Sequence, residues 1–164
     1  MIGRKCERPY TKAAVNDRPG EMIGIDTNIL VYAHRRDSEW FEPAAEAIRG
    51  LAEGQEPWAI PWPCIHEFLA IVTHQRIYKP PTPLAKAIAQ VDAWMASPTL
   101  RLIGESREHW REVSATLSVG KIQGAQVHDA RVAAICAQHG IREFWSADRD
   151  FSRIASIRTV NPLC

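Results

Sequence analysis

The stretch Met22-Ile23-Gly24-Ile25-Asp26-Thr27-Asn28-Ile29-Leu30-Val31-Tyr32 decides how the rest of the chain is read. A short apolar run, Met22 to Ile25, ends on a carboxylate, and a second apolar run starts at Ile29. The first has the length of a buried strand, Ile23 to Asp26, and the second opens a helix around residues 28–34. A carboxylate at the end of a buried strand, where a helix begins, is poorly placed for solvation. Burying an unpaired charge is costly, so such a group is hydrogen-bonded, ion-paired or bound to a cation.

Three more acids are set in the same way. Glu67 lies in Cys64-Ile65-His66-Glu67-Phe68-Leu69, Asp129 in Val127-His128-Asp129-Ala130, and Asp148 in Phe144-Trp145-Ser146-Ala147-Asp148. Carboxylates ~4–5 Å apart repel by roughly 3–4 kcal/mol per pair at an effective dielectric near 20. Such a cluster persists only if some members are protonated or a cation neutralises them. Hard divalent ions with oxygen ligands, Mg²⁺ or Mn²⁺, suit it, and the lack of a histidine pair points away from zinc. A metal so held generates hydroxide from water and stabilises charge on a phosphodiester during in-line attack. Each acid also has an ordinary structural reading. Asp26 would cap the next helix, Glu67 would be an exposed helix charge, Asp129 would pair with Arg131 or Arg107, and Asp148 and Asp150 would form a turn and a cap. His66 and His128 precede proposed acids, but neighbours on a helix point about 100° apart, so both read as supporting residues.

Around this centre the chain alternates strand and helix signals. A helix over about 40–53 carries Phe41, Ala44, Ala45, Ile48 and Leu51 on one face and stops at Gly54. Trp58-Ala59-Ile60 is a short strand, and Pro63 to about Ile77 a helix with Ile65, Phe68, Leu69 and Val72 inward. Thr82-Pro83 reads as an N-cap with proline at the first helical position. The helix it starts has Leu84, Ala87, Ile88, Val91, Trp94 and Met95 at helical spacing, and Pro98 ends it. Leu100 to Ile103 is a third strand, helices follow at about 106–117 and 124–139, and Gly140 stops the second. Phe144–Ala147 and Ile157–Val160 complete the strands. Strands separated by helices argue for a parallel sheet covered on both faces, with ligands beyond the carboxyl ends of the strands. Asp26 and Asp148 both fall at that edge.

Composition bounds the rest. The 164 residues, 46% hydrophobic, fit one domain with a real core. No apolar run reaches the roughly 18 residues of a membrane span, and the amino terminus lacks the apolar stretch of a signal peptide, so a cytoplasmic protein is expected. Cys6, Cys64, Cys136 and Cys164 are widely spaced and read as reduced thiols. Net charge is +1, but residues 1–21 carry five Lys or Arg against three Asp or Glu. That polar segment, with Pro9, Pro19 and Gly20, reads as a mobile extension, leaving 22–164 as the single folded domain. Arg35, Arg36, Arg76, Lys79, Lys121 and Arg149 are the cations expected near the carboxylates and open to phosphates. The six tryptophans are scattered and read mostly as core. Signatures of phosphate-binding loops, dinucleotide folds, serine hydrolases and zinc proteases are missing.

Ile25-Asp26-Thr27-Asn28-Ile29-Leu30, Glu67 on a helix, His128-Asp129-Ala130 on a later helix, and Ser146-Ala147-Asp148-Arg149-Asp150-Phe151 together resemble the PIN-domain ribonucleases. Over about residues 22–163 the size and layout resemble VapC toxins of type II toxin–antitoxin pairs. The resemblance implies a three-layer α/β/α sandwich with a mostly parallel sheet of four to five strands. It also implies Mg²⁺-dependent endoribonuclease activity in which Mn²⁺ substitutes, inhibition by a VapB-like antitoxin, and a homodimer. Asp26, Glu67, Asp129 and Asp148 correspond to the family's acidic quartet, with Asp26 and Asp129 the leading metal ligands. Asn28 and Ser146 match supporting polar positions, and Asp150 is a fifth acid. Two other functions fit the same features: a PIN nuclease of RNA processing without an antitoxin, and an inactive RNA- or protein-binding module. The presence of all four acids weighs against the inactive module.

Overall fold

The structure, a computed structural model, describes residues 21–164, so the expected extension over 1–21 lies, but for Glu21, outside the described residues. Five strands form one sheet: β1 (Ile23–Ile25), β2 (Trp58–Pro61), β3 (Leu100–Ile103), β4 (Glu143–Trp145) and β5 (Arg158–Val160). Their order across the sheet is β3-β2-β1-β4-β5, and every neighbouring pair is parallel. Six helices connect them: α1 (Thr27–His34), α2 (Phe41–Glu53), α3 (Trp62–Val72), α4 (Leu84–Met95), α5 (His109–Gly120) and α6 (Val127–Gln138). Helix α1 packs on α2 and α3, α3 on α4, and α5 on α6. Right-handed crossovers put α1–α4 on one face and α5–α6 on the other. The result is the three-layer sandwich, with a sheet that is wholly rather than mostly parallel.

The chain moves outward from β1 through β2 to β3, then returns to the other side of β1 to lay down β4 and β5. The order therefore reverses between β1 and β4, the point where open parallel sheets bind ligands. Ile25 pairs with Trp145, so the next residues, Asp26 and Ser146, leave the sheet side by side. The core under this edge is aliphatic and aromatic, with Ile25, Ile29, Leu30, Trp58, Ile60, Phe68, Phe144 and Phe151 fully buried. Gly24 is required there. A Cβ at that position would sit 2.7 Å from Phe144 Cδ2 and 3.3 Å from Ile141 Cγ2. Phe144 in turn stacks on Phe151 with ring centroids 4.6 Å apart. Gly140, at φ +71°, ends α6 as the sequence foretold.

Several expected boundaries move. Helix α3 stops at Val72, not near Ile77, because Thr73 Oγ1 donates to the Leu69 carbonyl and the Ile77 and Tyr78 amides turn back onto His74. Thr82 does not cap α4; its hydroxyl is taken by His34 Nε2 at 3.2 Å and Arg35 at 3.3 Å, and the first helical carbonyl is that of Pro83. On α4 only Ala87, Val91 and Trp94 turn inward, while Leu84, Ile88 and Met95 face solvent. Helix α5 starts at His109 because Ser106 forms a turn that accepts the Glu108 and His109 amides. A 3₁₀ turn, Gly124–Gln126, precedes α6. Of the tryptophans, Trp62 and Trp110 are exposed and the other four are buried or pack on the core. Cys64 and Cys136 are free and buried, but Cys164 is disulfide-bonded, against the expectation of four reduced thiols. Spacing along the chain says nothing of which sulfurs meet in space.

Candidate active site

Asp26 sits between β1 and α1 with extended backbone, and its Oδ1 accepts the Thr27 amide at 2.7 Å. It is therefore the helix cap that its position suggested, and it is more than that. Oδ2 accepts two further bonds, from Ser146 Oγ at 2.6 Å and from Asn28 Nδ2 at 2.8 Å. Ser146, at the end of β4, also accepts from Asn28 Nδ2 at 3.1 Å and from the Asp148 amide at 3.0 Å. Asn28 closes the ring by accepting the Ala147 amide at 3.0 Å. The Asp26 amide donates to the Trp145 carbonyl at 3.0 Å. Two strand ends separated by more than a hundred residues are thus joined by one polar network, and Asp26 is its centre.

The other acids stand around it. Glu67, on α3, accepts the Thr27 hydroxyl at 2.6 Å through Oε2. Asp129 opens α6, and Asp148 follows Ser146, its Oδ1 accepting the Asp150 amide at 2.8 Å. Asp26, Glu67, Asp129 and Asp148 line one cleft of about 300 Å³, with Thr27, Asn28, Val31, Tyr32, Ile71 and Tyr78 completing its walls. Asp150 is outside that lining, where it ion-pairs with Arg153 at 3.6 Å. The structural alternative for Asp129 does not hold, since Arg131 pairs with Glu105 instead and, among the described residues, Asp129 is ion-paired to neither Arg131 nor Arg107.

The charges in the cleft are unbalanced. Burial pushes the Asp26 carboxyl up to about 6, against the lowering effect of the Ser146 and Thr27 bonds, and Glu67 and Asp129 push it the same way. Burial also raises Asp129, followed by the charges of Asp148, Glu67 and Asp150, with His128 opposing. No cationic side chain lines the cleft, and among the described residues none of the four carboxylates has an ion pair. Two of the cations expected near the site, Arg35 and Arg36, line a neighbouring cleft instead. Arg35 is bound to Asp37 at 2.6 and 2.8 Å and lies over the Tyr78 ring.

The donor set, all oxygen and short of positive charge, has the chemistry of a hard divalent-ion site. Its side chains are splayed: among the described residues no three His, Cys, Asp or Glu stand close enough to share an ion. Three residues escaped the sequence reading. Thr27 follows the first acid and holds Glu67; Tyr32 lies one helical turn beyond Asn28; Tyr78 falls just past the helix expected to run to about Ile77. Only the first carried a signal, a hydroxyl next to the acid.

A family model described as PIN domain matches residues 23–157. VapC ribonuclease Mb2897 of Mycobacterium bovis is 31% identical over 142 residues, covering 87% of this chain and 96% of that protein. Among solved structures, VapBC2 from Rickettsia felis, bound to a DNA fragment from its promoter, superposes with a TM-score of 0.64 at 17% identity, covering 85% of this chain and 98% of that one. Mycobacterium tuberculosis VapC20, described as a sarcin–ricin loop cleaving toxin, superposes at 0.61 with 15% identity, covering 81% and 95%.

Proposed function

The chain belongs to the PIN-domain family, and from that premise we propose that it is a VapC-type endoribonuclease, the toxin of a toxin–antitoxin pair, whose cleavage of RNA depends on Mg²⁺ or Mn²⁺. The observation that carries the site is the cleft at the β1–β4 reversal, where Asp26, Glu67, Asp129 and Asp148 meet with no cation among them. Asp26 and Asp129 would hold the ion, with Glu67 and Asp148 beside them on the wall of the same cleft. Once bound, the ion supplies a nucleophilic hydroxide and charge stabilisation at the phosphodiester. Ser146, Asn28 and the Thr27 amide orient Asp26, and the Cys64 thiol reaches its Oδ1 at 4.0 Å. Thr27 fixes Glu67 through its hydroxyl.

The partners follow from the same reading. A VapB-like antitoxin would aim an Arg or Lys at the four carboxylates, competing with the ion through charge-assisted hydrogen bonds. Its anchoring area would come from exposed apolar groups beside α2 and α3, such as Trp62 and Ile77. A homodimer working in the cytoplasm is part of the proposal; no helix among the described residues is long and apolar enough to cross a membrane. The test is incubation of the purified protein with structured RNA in Mg²⁺, Mn²⁺ and EDTA, beside Asp26→Asn. Cleavage with either metal, lost in EDTA and in the variant, is expected. Cleavage that persists in EDTA would refute the metal site.

A further inference from the structure

Beside the acidic cleft lies a second one of opposite character, with a volume of about 450 Å³. It is walled by the end of α1 (His34 to Asp37), the proline segment Pro80–Pro83, and Lys86 on α4. The two clefts share a partition. Tyr78 lines the acidic cleft, and the Arg35 guanidinium, part of the second cleft, lies 4.0 Å from the Tyr78 ring centroid.

The charges of this cleft divide into structural and available ones. Arg35 is only 11% exposed, and its donors are spent on both Asp37 oxygens, the Pro80 carbonyl and the Thr82 hydroxyl. Asp37 is neutralised by that fork, which holds its carboxyl below the usual range. His34 is bonded to Gln90 and Thr82, and burial lowers its affinity for a proton. Arg36 and Lys86 remain. Both are exposed, and among the described residues neither has a carboxylate partner. The Arg36 guanidinium stands 5.9 Å from the Phe41 ring centroid, which leaves its donors open, so two cations without a carboxylate partner face a cleft in which Asp37, the carboxylate among its described lining residues, is already paired. Three prolines form the facing wall, and their restricted backbones lose little freedom when a ligand is bound.

We infer that this cleft takes a backbone phosphate of the RNA substrate, held by Arg36 and Lys86, on the nucleotide that leaves the acidic cleft across the Tyr78–Arg35 partition. The inference rests on the ribonuclease reading. It supplies what that reading lacks: the acidic cleft repels a polyanion, and the chain must get its affinity for RNA from cations placed outside it.

The experiment uses the full chain and the double variant Arg36→Gln/Lys86→Gln. The probe is a fluorescein-labelled single-stranded RNA long enough to span both clefts. A control with the same loss of charge, Arg49→Gln/Arg101→Gln, changes two exposed cations outside the cleft. Binding is read by anisotropy in EDTA across a salt series, and cleavage in Mg²⁺ as separate kcat and KM. Loss of one neutralised phosphate should flatten the plot of log Kd against log salt by about 0.7 for a single strand. KM should rise about tenfold, with kcat falling less. If wild type cleaves RNA but the double variant keeps its salt slope and KM, the cleft is not an RNA subsite and the inference fails alone. Equal weakening in both double variants would also overturn it, since net charge would then suffice. If wild type cleaves no RNA with either metal, the ribonuclease reading falls and the inference falls with it.

Discussion

Replacing Asp26 with asparagine should destroy activity and stabilise the metal-free protein. Burial pushes the carboxyl up to about 6 in the fold, roughly two units above the ordinary aspartate range. A raised carboxyl binds its proton more tightly folded than unfolded, so its contribution is most favourable below the unfolded pKa and is lost as pH rises through about 6. At pH 7.5 the ionised, buried group therefore costs about 3 kcal/mol. Asparagine removes that charge at nearly constant shape. It keeps an acceptor for the Thr27 amide but cannot accept from both Asn28 and Ser146, and each lost bond costs about 1 kcal/mol. The net gain is about 1–2 kcal/mol, or roughly 2–8 °C in Tm for a chain of this size. The electrostatic part shrinks below pH 6 and is about 0.5 kcal/mol by pH 4. Thermal unfolding of both proteins in EDTA at a series of pH values measures this. A variant less stable than wild type at pH 7.5, or a gain that does not shrink toward pH 4, would refute the account of Asp26 as a charge held at a cost.

Millimolar Mg²⁺ or Mn²⁺ should raise the wild-type Tm over that in EDTA, by about 2.7 kcal/mol of stability at 100 times Kd, and should not raise that of Asp26→Asn. Ser146→Ala removes the shortest bond to Asp26, so the acidic limb of the kcat–pH profile should move to higher pH while the protein stays folded. Gly24→Ala forces a methyl against the Phe144 ring and should lower the urea midpoint by the equivalent of about 1–3 kcal/mol. Expression without an antitoxin should arrest growth, and Asp26→Asn should relieve the arrest. Harmless expression of a protein active on RNA in vitro would favour the RNA-processing alternative.

Much of this site could be read from the chain because its residues announce themselves locally. Asp26 stands against four apolar neighbours, and each partner acid occupies an apolar setting that a surface charge would not choose. The parallel sheet followed from the same alternation. What escaped depended on through-space competition. Thr82 looks like an N-cap in sequence, but His34 and Arg35, some 47 residues away, claim its hydroxyl. Leu84, Ile88 and Met95 keep helical spacing, yet periodicity alone cannot say how wide a stripe the neighbouring helix covers. The cations also followed tertiary logic: Arg35 was near the site in sequence and is spent on Asp37 in space.

The ring of bonds around Asp26 also bears on synthesis. A chain made from its amino end exposes Asp26, Asn28 and Glu67 well before Ser146 and Asp148. Strand β1 cannot gain its β4 neighbour before then, and the Asp26 carboxyl has neither its serine donor nor the last acid of the cleft. The nascent chain is therefore incomplete as a nuclease until β4 and the residues after it have emerged. The long crossover that places the first strand beside the fourth delays competence until the more than one hundred residues between them have been made.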